Sequence, residues 1–158
     1  MVKSASKNRP GSAPNQAQAK QTGSFIYTDG SRYEGEYTES DNPNASSAAT
    51  ALSRQRSGIG TYTCQRSGCV YTGSWVADCM GGGKGRMVYP SGAVYDGMWN
   101  QSQYAGQGTY TFPDGSKYEG EWSEGRMHGP GTFVDNKGKK WVGVCQMGIG
   151  ADLAPEIV

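Results

Sequence analysis

A short pattern of a ring, a glycine and a second ring recurs along this chain at a nearly constant spacing. Each copy reads aromatic-x-Gly-x-aromatic or a close variant, and the copies begin at residues 33, 71, 95, 118 and 141. The last three intervals are 24, 23 and 23 residues, whereas the first is 38 residues. A fixed period of this length is typical of repeat proteins, in which each unit packs mainly against its neighbours.

A second motif, Gly-x-Gly-x-aromatic, lies inside the units and fixes their layout. It begins at Gly58, Gly106 and Gly129, with a looser copy at Gly83. Its second glycine stands ten residues before the next repeat start in every copy except the first. The unit is therefore 23 residues long. The departures are insertions, chiefly about fourteen extra residues around 42–57.

Within one unit, apolar and polar residues alternate as they do in a strand with one buried face. In residues 108–112 the glycine and both rings share one parity, and the same holds for residues 118–122. Between them, Pro113-Asp114-Gly115 predicts a tight turn, because Pro presets the first turn position and Gly supplies a left-handed backbone. Each unit therefore predicts a β-hairpin, joined to the next by the loop after the Trp position. Equivalent turns are predicted at Gly30, Gly92 and Gly138.

The composition indicates what replaces an ordinary core. The 158 residues include 25 Gly but only two Leu, which excludes a Leu-rich helical bundle or a doubly wound α/β fold. Seventeen aromatic residues supply apolar area instead, since each ring can bury roughly 150–250 Å². A ring from a neighbouring strand can lie over the bare backbone of Gly97 or Gly120. We expect an all-β fold, a single-layer twisted antiparallel sheet of consecutive β-hairpins.

These residues resemble the MORN repeat (membrane occupation and recognition nexus), whose pattern is Tyr-x-Gly-x-Trp-x-x-Gly-x-x-x-Gly-x-Gly. The repeat that starts at Tyr118 fills every position, and the repeat that starts at Tyr95 departs only at Ser102. The stretch from Gly92 to about Leu153 is also similar to the small stand-alone MORN proteins of ciliated cells and sperm. The resemblance implies a MORN-repeat solenoid in a cytoskeletal, ciliary or flagellar axonemal assembly.

The chain divides into three segments. Residues 1–22 hold basic residues but no acidic or aromatic ones, which predicts a disordered or partner-ordered tail. Residues 23–145 are the predicted array, with a half repeat at 23–32, repeats from 33, 71, 95 and 118, a partial repeat from 141 and an insertion at about 42–57. Residues 146–158 are a predicted C-terminal tail. Because solenoid ends expose unpaired strands, we expect the half repeat or the stub 141–145 to pair with another chain or be covered by a terminus.

Residues that carry catalysis are sparse. His128 is the only histidine and lies in a predicted inter-repeat loop, so neither a Ser-His-Asp nor a Cys-His pairing is expected. The strand carboxylates alternate with the motif rings, which predicts a solvated face. The Gly-rich stretch 81–85 lacks the Ser or Thr that follows Lys in a phosphate loop. We predict no enzyme, no cofactor, no metal site and no small-molecule substrate.

The four cysteines do not have the C-x-x-C spacing of structural zinc sites. We find no signal-peptide pattern and no apolar run of the ~18 residues of a membrane span. We therefore expect a cytoplasmic or cytoskeletal protein with reduced thiols. Cys64 and Cys69 flank a predicted turn and are the one pair for which a disulfide stays open; the others are Cys79 and Cys145.

Two binding functions remain. The first is a non-enzymatic scaffold that binds an extended segment or a helix of a partner protein in an aromatic-lined groove. Its candidate contact residues, which can equally be repeat core, are Trp75, Tyr95, Trp99, Tyr110, Phe112, Tyr118 and Trp122. The alternative is a peripheral membrane adaptor that binds anionic phospholipids. Its candidate basic residues, too few for a nucleic-acid footprint, are Lys3, Lys7, Arg9, Lys20, Lys137, Lys139 and Lys140.

Overall fold

The computed structural model describes residues 19–41 and 52–156, which form one antiparallel sheet of eleven strands and contain no helix. The strands follow one another across the sheet in chain order, so each pairs with its sequence neighbours. The prediction of an all-β sheet of consecutive hairpins is confirmed. The strands are β1 (Gln21–Ile26), β2 (Arg32–Asp41), β3 (Leu52–Thr63), β4 (Val70–Val76), β5 (Cys79–Val88), β6 (Val94–Asn100), β7 (Gln103–Thr111), β8 (Lys117–Ser123), β9 (Arg126–Val134), β10 (Lys140–Gln146) and β11 (Ile149–Pro155).

Two kinds of turn alternate along the sheet. The connections after the Trp position are two-residue turns with positive φ at both residues, as at Ala77 (46°) and Asp78 (68°). Such turns match the right-handed twist of paired strands, so the expected inter-repeat loop is itself a hairpin turn. The turns inside the repeats contain the predicted glycines, with φ between 82° and 89° at Gly30, Gly92, Gly115 and Gly138.

Ten glycines, one from each strand from β1 to β10, stand in a single row across the sheet. Each lies opposite the glycine of the next strand, from Gly23 opposite Gly35 to Gly131 opposite Gly143. We call this row the glycine strip. Because its residues have no side chain, it leaves bare backbone on which rings can lie.

The first tyrosine of each full repeat fills the strip. The rings of Tyr33, Tyr71, Tyr95 and Tyr118 are at most 1% exposed, and each covers the strip glycine of the following strand. Each hydroxyl donates to a backbone carbonyl three residues further along, as Tyr95 does to Met98 at 2.9 Å. The strand register shifts beside these carbonyls, so the hydroxyl supplies a hydrogen bond that the ladder lacks there.

The covered glycines differ from those expected. A neighbouring strand's ring lies over Gly108 and Gly131, whereas Gly97 and Gly120 face the hydroxyl of the tyrosine in their own strand. The reason is the direction of the tyrosine side chain, which leans across to the next strand. A ring on one strand therefore occupies the space above two paired glycines.

The tryptophans pack beside the tyrosines. Trp75, Trp99 and Trp122 are at most 8% exposed. Each indole nitrogen donates to the carbonyl of a strip glycine on the preceding strand, at 3.0 Å between Trp99 and Gly85. Trp99 also meets two tyrosines edge to face, its own repeat's Tyr95 at 5.3 Å and the preceding repeat's tyrosine at 5.0 Å. This ladder of rings links each hairpin to the next.

The ends of the array differ from the predicted boundaries. β1 begins at Gln21, inside the predicted basic tail, and residues 1–18 lie outside the described part. Residues 52–57 of the predicted insertion belong to β3, which pairs with β2, while residues 42–51 are not described. The predicted C-terminal tail contains β11, which pairs with β10. The stub 141–145 is therefore covered by a terminus of its own chain, as expected.

The glycine strip predicts a large difference between two alanine substitutions. Gly108→Ala is expected to lower the free energy of unfolding by about 3 kcal/mol, because the added methyl would lie 2.7 Å from Cζ of Tyr95. The matched control is Gly115→Ala, where no atom lies within 4 Å of the methyl. Its cost is that of the positive φ alone, about 1 kcal/mol. Urea unfolding measures both, and equal losses would show that the ring does not need the bare strip.

The core tyrosines predict sensitivity to alkali. Burial raises the pKa of Tyr33 and of Tyr71 to about 12, and it raises the pKa of Tyr95 and Tyr118. An unfolded tyrosine loses its proton near pH ~10, so above that pH the unfolded state binds fewer protons than the folded state. We therefore expect the free energy of unfolding to fall from about pH 10 towards pH 12. Below about pH 9 these groups cause no change of stability with pH. Urea midpoints across this range, with tyrosinate absorbance, measure the effect; a midpoint that is constant up to about pH 11 contradicts it.

Candidate functional site

The two faces of the sheet carry different side chains. On β8, Tyr118 and Trp122 are buried on one side, whereas Glu119 is exposed on the other. Because the strands pair without crossovers, the same division runs across the sheet. We call the two sides the aromatic face and the polar face. The exposure of a candidate residue therefore depends on the face on which its side chain lies.

Most of the predicted contact rings belong to the core. Five of the seven are at most 8% exposed, namely Trp75, Tyr95, Trp99, Tyr118 and Trp122. Their hydroxyl and indole groups are already hydrogen-bonded within the sheet. Tyr110 and Phe112 are only half-buried and are the accessible members of the set. Partner contact through any of the seven rings stays a prediction. Only Tyr110 and Phe112 have side-chain surface that a partner could reach.

The accessible rings form a row beside the turns that lie inside the repeats. The row, which we call the aromatic rim, consists of Tyr89, Tyr110, Phe112, Phe133 and Trp141, all half-buried. Successive ring centroids are 6.3, 4.9, 6.2 and 5.9 Å apart. Between the two phenylalanines a shallow depression of about 410 Å³ opens to solvent. The sequence prediction missed Tyr89, Phe133 and Trp141, whose common signal is their place next to a predicted turn.

Turn chemistry holds the rim in place. The backbone N–H of Phe112 donates to the carbonyl of Ser116 at 2.8 Å. Ser116 is 5% exposed, and its hydroxyl and N–H donate to the carboxylate of Asp114 at 2.6 and 3.0 Å. These hydrogen bonds lower the pKa of the Asp114 carboxyl. The turn is thus fixed before any partner arrives.

Tyr104 is the one ring that the repeated motifs do not contain. It lies opposite Trp99, and its ring stacks on Tyr95 with the centroids 3.7 Å apart. Its hydroxyl contacts that of Tyr89, so it connects the core to the rim. The position opposite Trp is the signal that could have placed it. In the neighbouring repeats this position holds Met80 and Met127.

At the other end of the aromatic face, Arg56 covers the rings. Its guanidinium carbon lies 4.2 Å from the ring centre of Trp75 and 5.0 Å from that of Tyr62. The carboxylate of Asp78 accepts a hydrogen bond from Nε of Arg56 at 3.0 Å and fixes the side chain. Stacking of a guanidinium on aromatic rings is favourable. The chain's own cation therefore occupies this end of the face.

A large concavity lies on the polar face. It has a volume of about 950 Å³, and its floor is the backbone of four strip glycines, from Gly97 to Gly131. Its walls include Asp96, Thr109 and Glu119. None of the residues that line it is aromatic, so it is not the aromatic-lined groove that the sequence predicts. That groove stays a prediction. We call this feature the polar groove.

The predicted basic residues do not converge at the N-terminal end. Lys20 lies at the start of β1 and pairs with Glu36 of β2 at 3.4 Å. The other three candidates of this segment lie outside the described residues: Lys3, Lys7 and Arg9.

The C-terminal basic cluster is separate from Lys20, since eight strands, β2 to β9, lie between β1 and β10. Lys137 and Lys139 are exposed in the turn between β9 and β10. Lys140 pairs with Glu156 at 3.6 Å. The nitrogen of Lys139 lies 5.1 Å from the centre of the Trp141 ring, at the end of the aromatic rim. One cation thus adjoins the rim.

Within residues 19–41 and 52–156, no group of three or more His, Cys, Asp or Glu side chains is placed to hold a metal ion. His128 is exposed on β9. No helix in the described part of the chain is long and apolar enough to cross a membrane.

Comparison with known proteins identifies the repeats. The family model described as MORN repeat matches residues 71–94, 95–117 and 118–140. A search of curated proteins found no match. Similar solved structures include one described as the SAS-4 (dCPAP) TCP domain in complex with a proline-rich motif of Ana2 (dSTIL) of Drosophila melanogaster. It has 14% sequence identity and a TM-score of 0.32, and the match covers 94% of this chain and 98% of that chain.

The matched segments coincide with the structural units, since they begin at the first tyrosines of β4, β6 and β8. MORN repeats mediate protein or membrane-lipid interactions and are not typically enzymatic. The same hairpin unit, with its strip glycine, continues on both sides of the matched segments. The chain therefore contains MORN repeats, at residues 71–140.

Proposed function

We propose that this protein is a non-enzymatic scaffold that binds an apolar segment of a partner protein along the aromatic rim. The observation that supports this most strongly is the unbroken row of five half-buried rings, with neighbouring centroids 4.9–6.3 Å apart. Aromatic residues dominate the binding energy of protein interfaces. A contiguous apolar surface on a soluble protein marks an interaction site.

The rim is also prepared for binding. Tyr89 is held by its contact with the hydroxyl of Tyr104, and the turn after Phe112 is closed by hydrogen bonds. Rings that are already ordered lose little conformational freedom on association, which is one of the main costs of binding. The path along the ring centroids is about 23 Å long, the length of roughly seven residues of an extended chain. An extended segment therefore fits it better than a globular surface.

We place this scaffold in the cytoplasm, in a cytoskeletal assembly and specifically in a cilium or flagellum. The support is the resemblance of residues 92–153 to the small MORN proteins of ciliated cells and sperm. Fluorescent tagging of the full chain in multiciliated cells, compared with a variant that lacks the rim rings, tests the placement. Axonemal signal that depends on the rim supports it, and a diffuse signal from both proteins contradicts it.

A second function, binding to anionic membranes, is favoured by one observation. Lys139 lies over the Trp141 ring at the end of the rim, and two more lysines adjoin it. Tryptophan is enriched at membrane interfaces, and each basic residue near an anionic surface contributes about 1 kcal/mol. Three exposed charges with one ring give weak attachment, so we rank this function below protein binding.

Substitution of the rim phenylalanines tests the scaffold function. Peptides selected from a display library against the wild-type chain are expected to bind the double variant Phe112→Ala/Phe133→Ala at least about tenfold more weakly. The matched control is Thr109→Ala/Thr132→Ala, which changes β7 and β9 on the polar face. Calorimetry measures the affinities, and urea unfolding checks that both variants fold.

The control variant also decides between the two surfaces. Peptides that bind the rim variant as well as they bind the wild type, or that lose affinity only for the threonine variant, would contradict the rim and favour the polar groove.

Vesicle sedimentation tests the membrane function. The wild-type chain is expected to stay in the supernatant with vesicles of phosphatidylcholine and phosphatidylserine at physiological salt, because few charges contact the surface. The comparison variants are Lys137→Glu/Lys139→Glu and a deletion of residues 1–18. Strong pelleting of the wild type that either variant abolishes would contradict this expectation and establish membrane binding.

A further inference from the structure

Two cysteines close the hairpin of β3 and β4, and neither takes part in the rim or the groove. They form the next opposed pair after Thr63 and Val70, and the N–H of Cys64 donates to the carbonyl of Cys69 at 2.9 Å. Opposed residues of antiparallel strands have Cα atoms about 4.5–5.5 Å apart. Disulfides span Cα separations of roughly 4.4–6.8 Å. Opposed positions of this kind therefore lie within the range of Cα separations that a disulfide can span.

Both thiols lie on the aromatic face. Cys64 follows Tyr62 by two residues and Cys69 precedes Tyr71 by two, and these tyrosines are opposite each other. Both cysteines are half-buried, whereas Cys145 is buried. The same N–H to carbonyl bond closes the other intra-repeat turns, whose residue pairs are Tyr27 with Ser31, Tyr89 with Ala93, Phe112 with Ser116 and Asp135 with Lys139.

The turn favours reaction at Cys64. Hydrogen bonds from the hydroxyl and then the backbone N–H of Ser67 lower the pKa of the Cys64 thiol. A lower pKa raises the fraction of thiolate, which is the reactive form. The Ser67 hydroxyl also accepts a hydrogen bond from the N–H of Cys69 at 3.3 Å. One serine thus contacts both halves of the pair.

The remaining two cysteines have different surroundings. Cys145 is 2% exposed in the aromatic core, so it is shielded from reagents. Cys79 is exposed on β5 and lies opposite Val76, not opposite another cysteine. They serve as internal controls.

We propose that Cys64 and Cys69 form a reversible thiol–disulfide site that is reduced in the resting protein and oxidised by hydroperoxides. The Cys64 thiolate attacks one oxygen of the hydroperoxide, the O–O bond breaks, and the other oxygen leaves as hydroxide or alkoxide. Cys64 is then a sulfenic acid. The Cys69 sulfur attacks the Cys64 sulfur, the S–S bond forms, and the S–OH oxygen leaves as water with the Cys69 proton. The two cysteines lose two electrons and the hydroperoxide gains them.

The bond would fix a turn that lies between two other turns. The N–H of Gln65 donates to the hydroxyl of Ser31, in the first turn, at 3.1 Å. A side chain added at Gly68 would lie 3.0 Å from Pro90, in the third turn. Oxidation therefore stiffens the place where the first three hairpins meet.

Peroxide treatment of the full chain tests the site. Alkylation and peptide mapping are expected to show a peptide linked between Cys64 and Cys69 within one molecule, with the number of free thiols falling from four to two. Dithiothreitol is expected to restore all four. Cys64→Ser and Cys69→Ser each remove the linked peptide, whereas Cys79→Ser keeps it. Serine suits position 69, because the equivalent position holds serine in two other turns, Ser31 and Ser116.

A comparison with the unfolded chain isolates the effect of the hairpin. Closure in the native protein is expected to be at least about tenfold faster than in urea, because the folded turn holds the sulfurs together. Equal rates would overturn the proposal. Oxidation of Cys64 to sulfinic acid without a linked peptide, or linkage mainly between molecules through Cys79, would overturn it as well.

Discussion

A tyrosine ring lying on the bare backbone of two paired glycines is the interaction on which the rest of this structure depends. The ring supplies the apolar contact that a second layer of structure supplies in most sheets. Its hydroxyl closes the gap that the register shift leaves in the ladder, as Tyr95 does for the carbonyl of Met98. Because both partners lie within neighbouring strands, each hairpin carries its own core. A single layer can therefore be stable, and its length is set by the number of repeats.

This arrangement separates residues that hold the fold from residues that are free to bind. The first tyrosine and the tryptophan of each full repeat after the first are buried in the core, so these rings have almost no surface available for binding. Positions beside the turns are not constrained in this way, and Phe112 and Phe133 stand there on neighbouring hairpins. Arg56 shows that such positions can also be closed by the chain itself. The surface that we propose for a partner is therefore formed by rings beside the turns and not by the buried core rings.

The sequence predicts whatever is local and periodic. The 23-residue spacing and the turn sequence Pro113-Asp114-Gly115 are enough for the hairpins, their order and their turns. Three features were not predictable in this way. β11 contains no repeat motif and exists because β10 offers an open edge. The position of Tyr104 depends on its partner across the strand pair, Trp99. The site of the groove depends on which face of the whole sheet the rings cover. The sequence of one strand contains neither kind of information.

The cysteine pair shows what such free positions allow. In three other hairpins the first residue of the closing pair is a ring, Tyr27, Tyr89 or Phe112, whereas here it is Cys64. Cys64 therefore interrupts the line of rings between the end covered by Arg56 and the aromatic rim. The backbone hydrogen bond that closes the turn is still present. Because the fold does not require a ring at this position, it can hold a residue with a reactive side chain. Because this turn lies between two others, oxidation of the proposed pair would stiffen the sheet where the three turns meet.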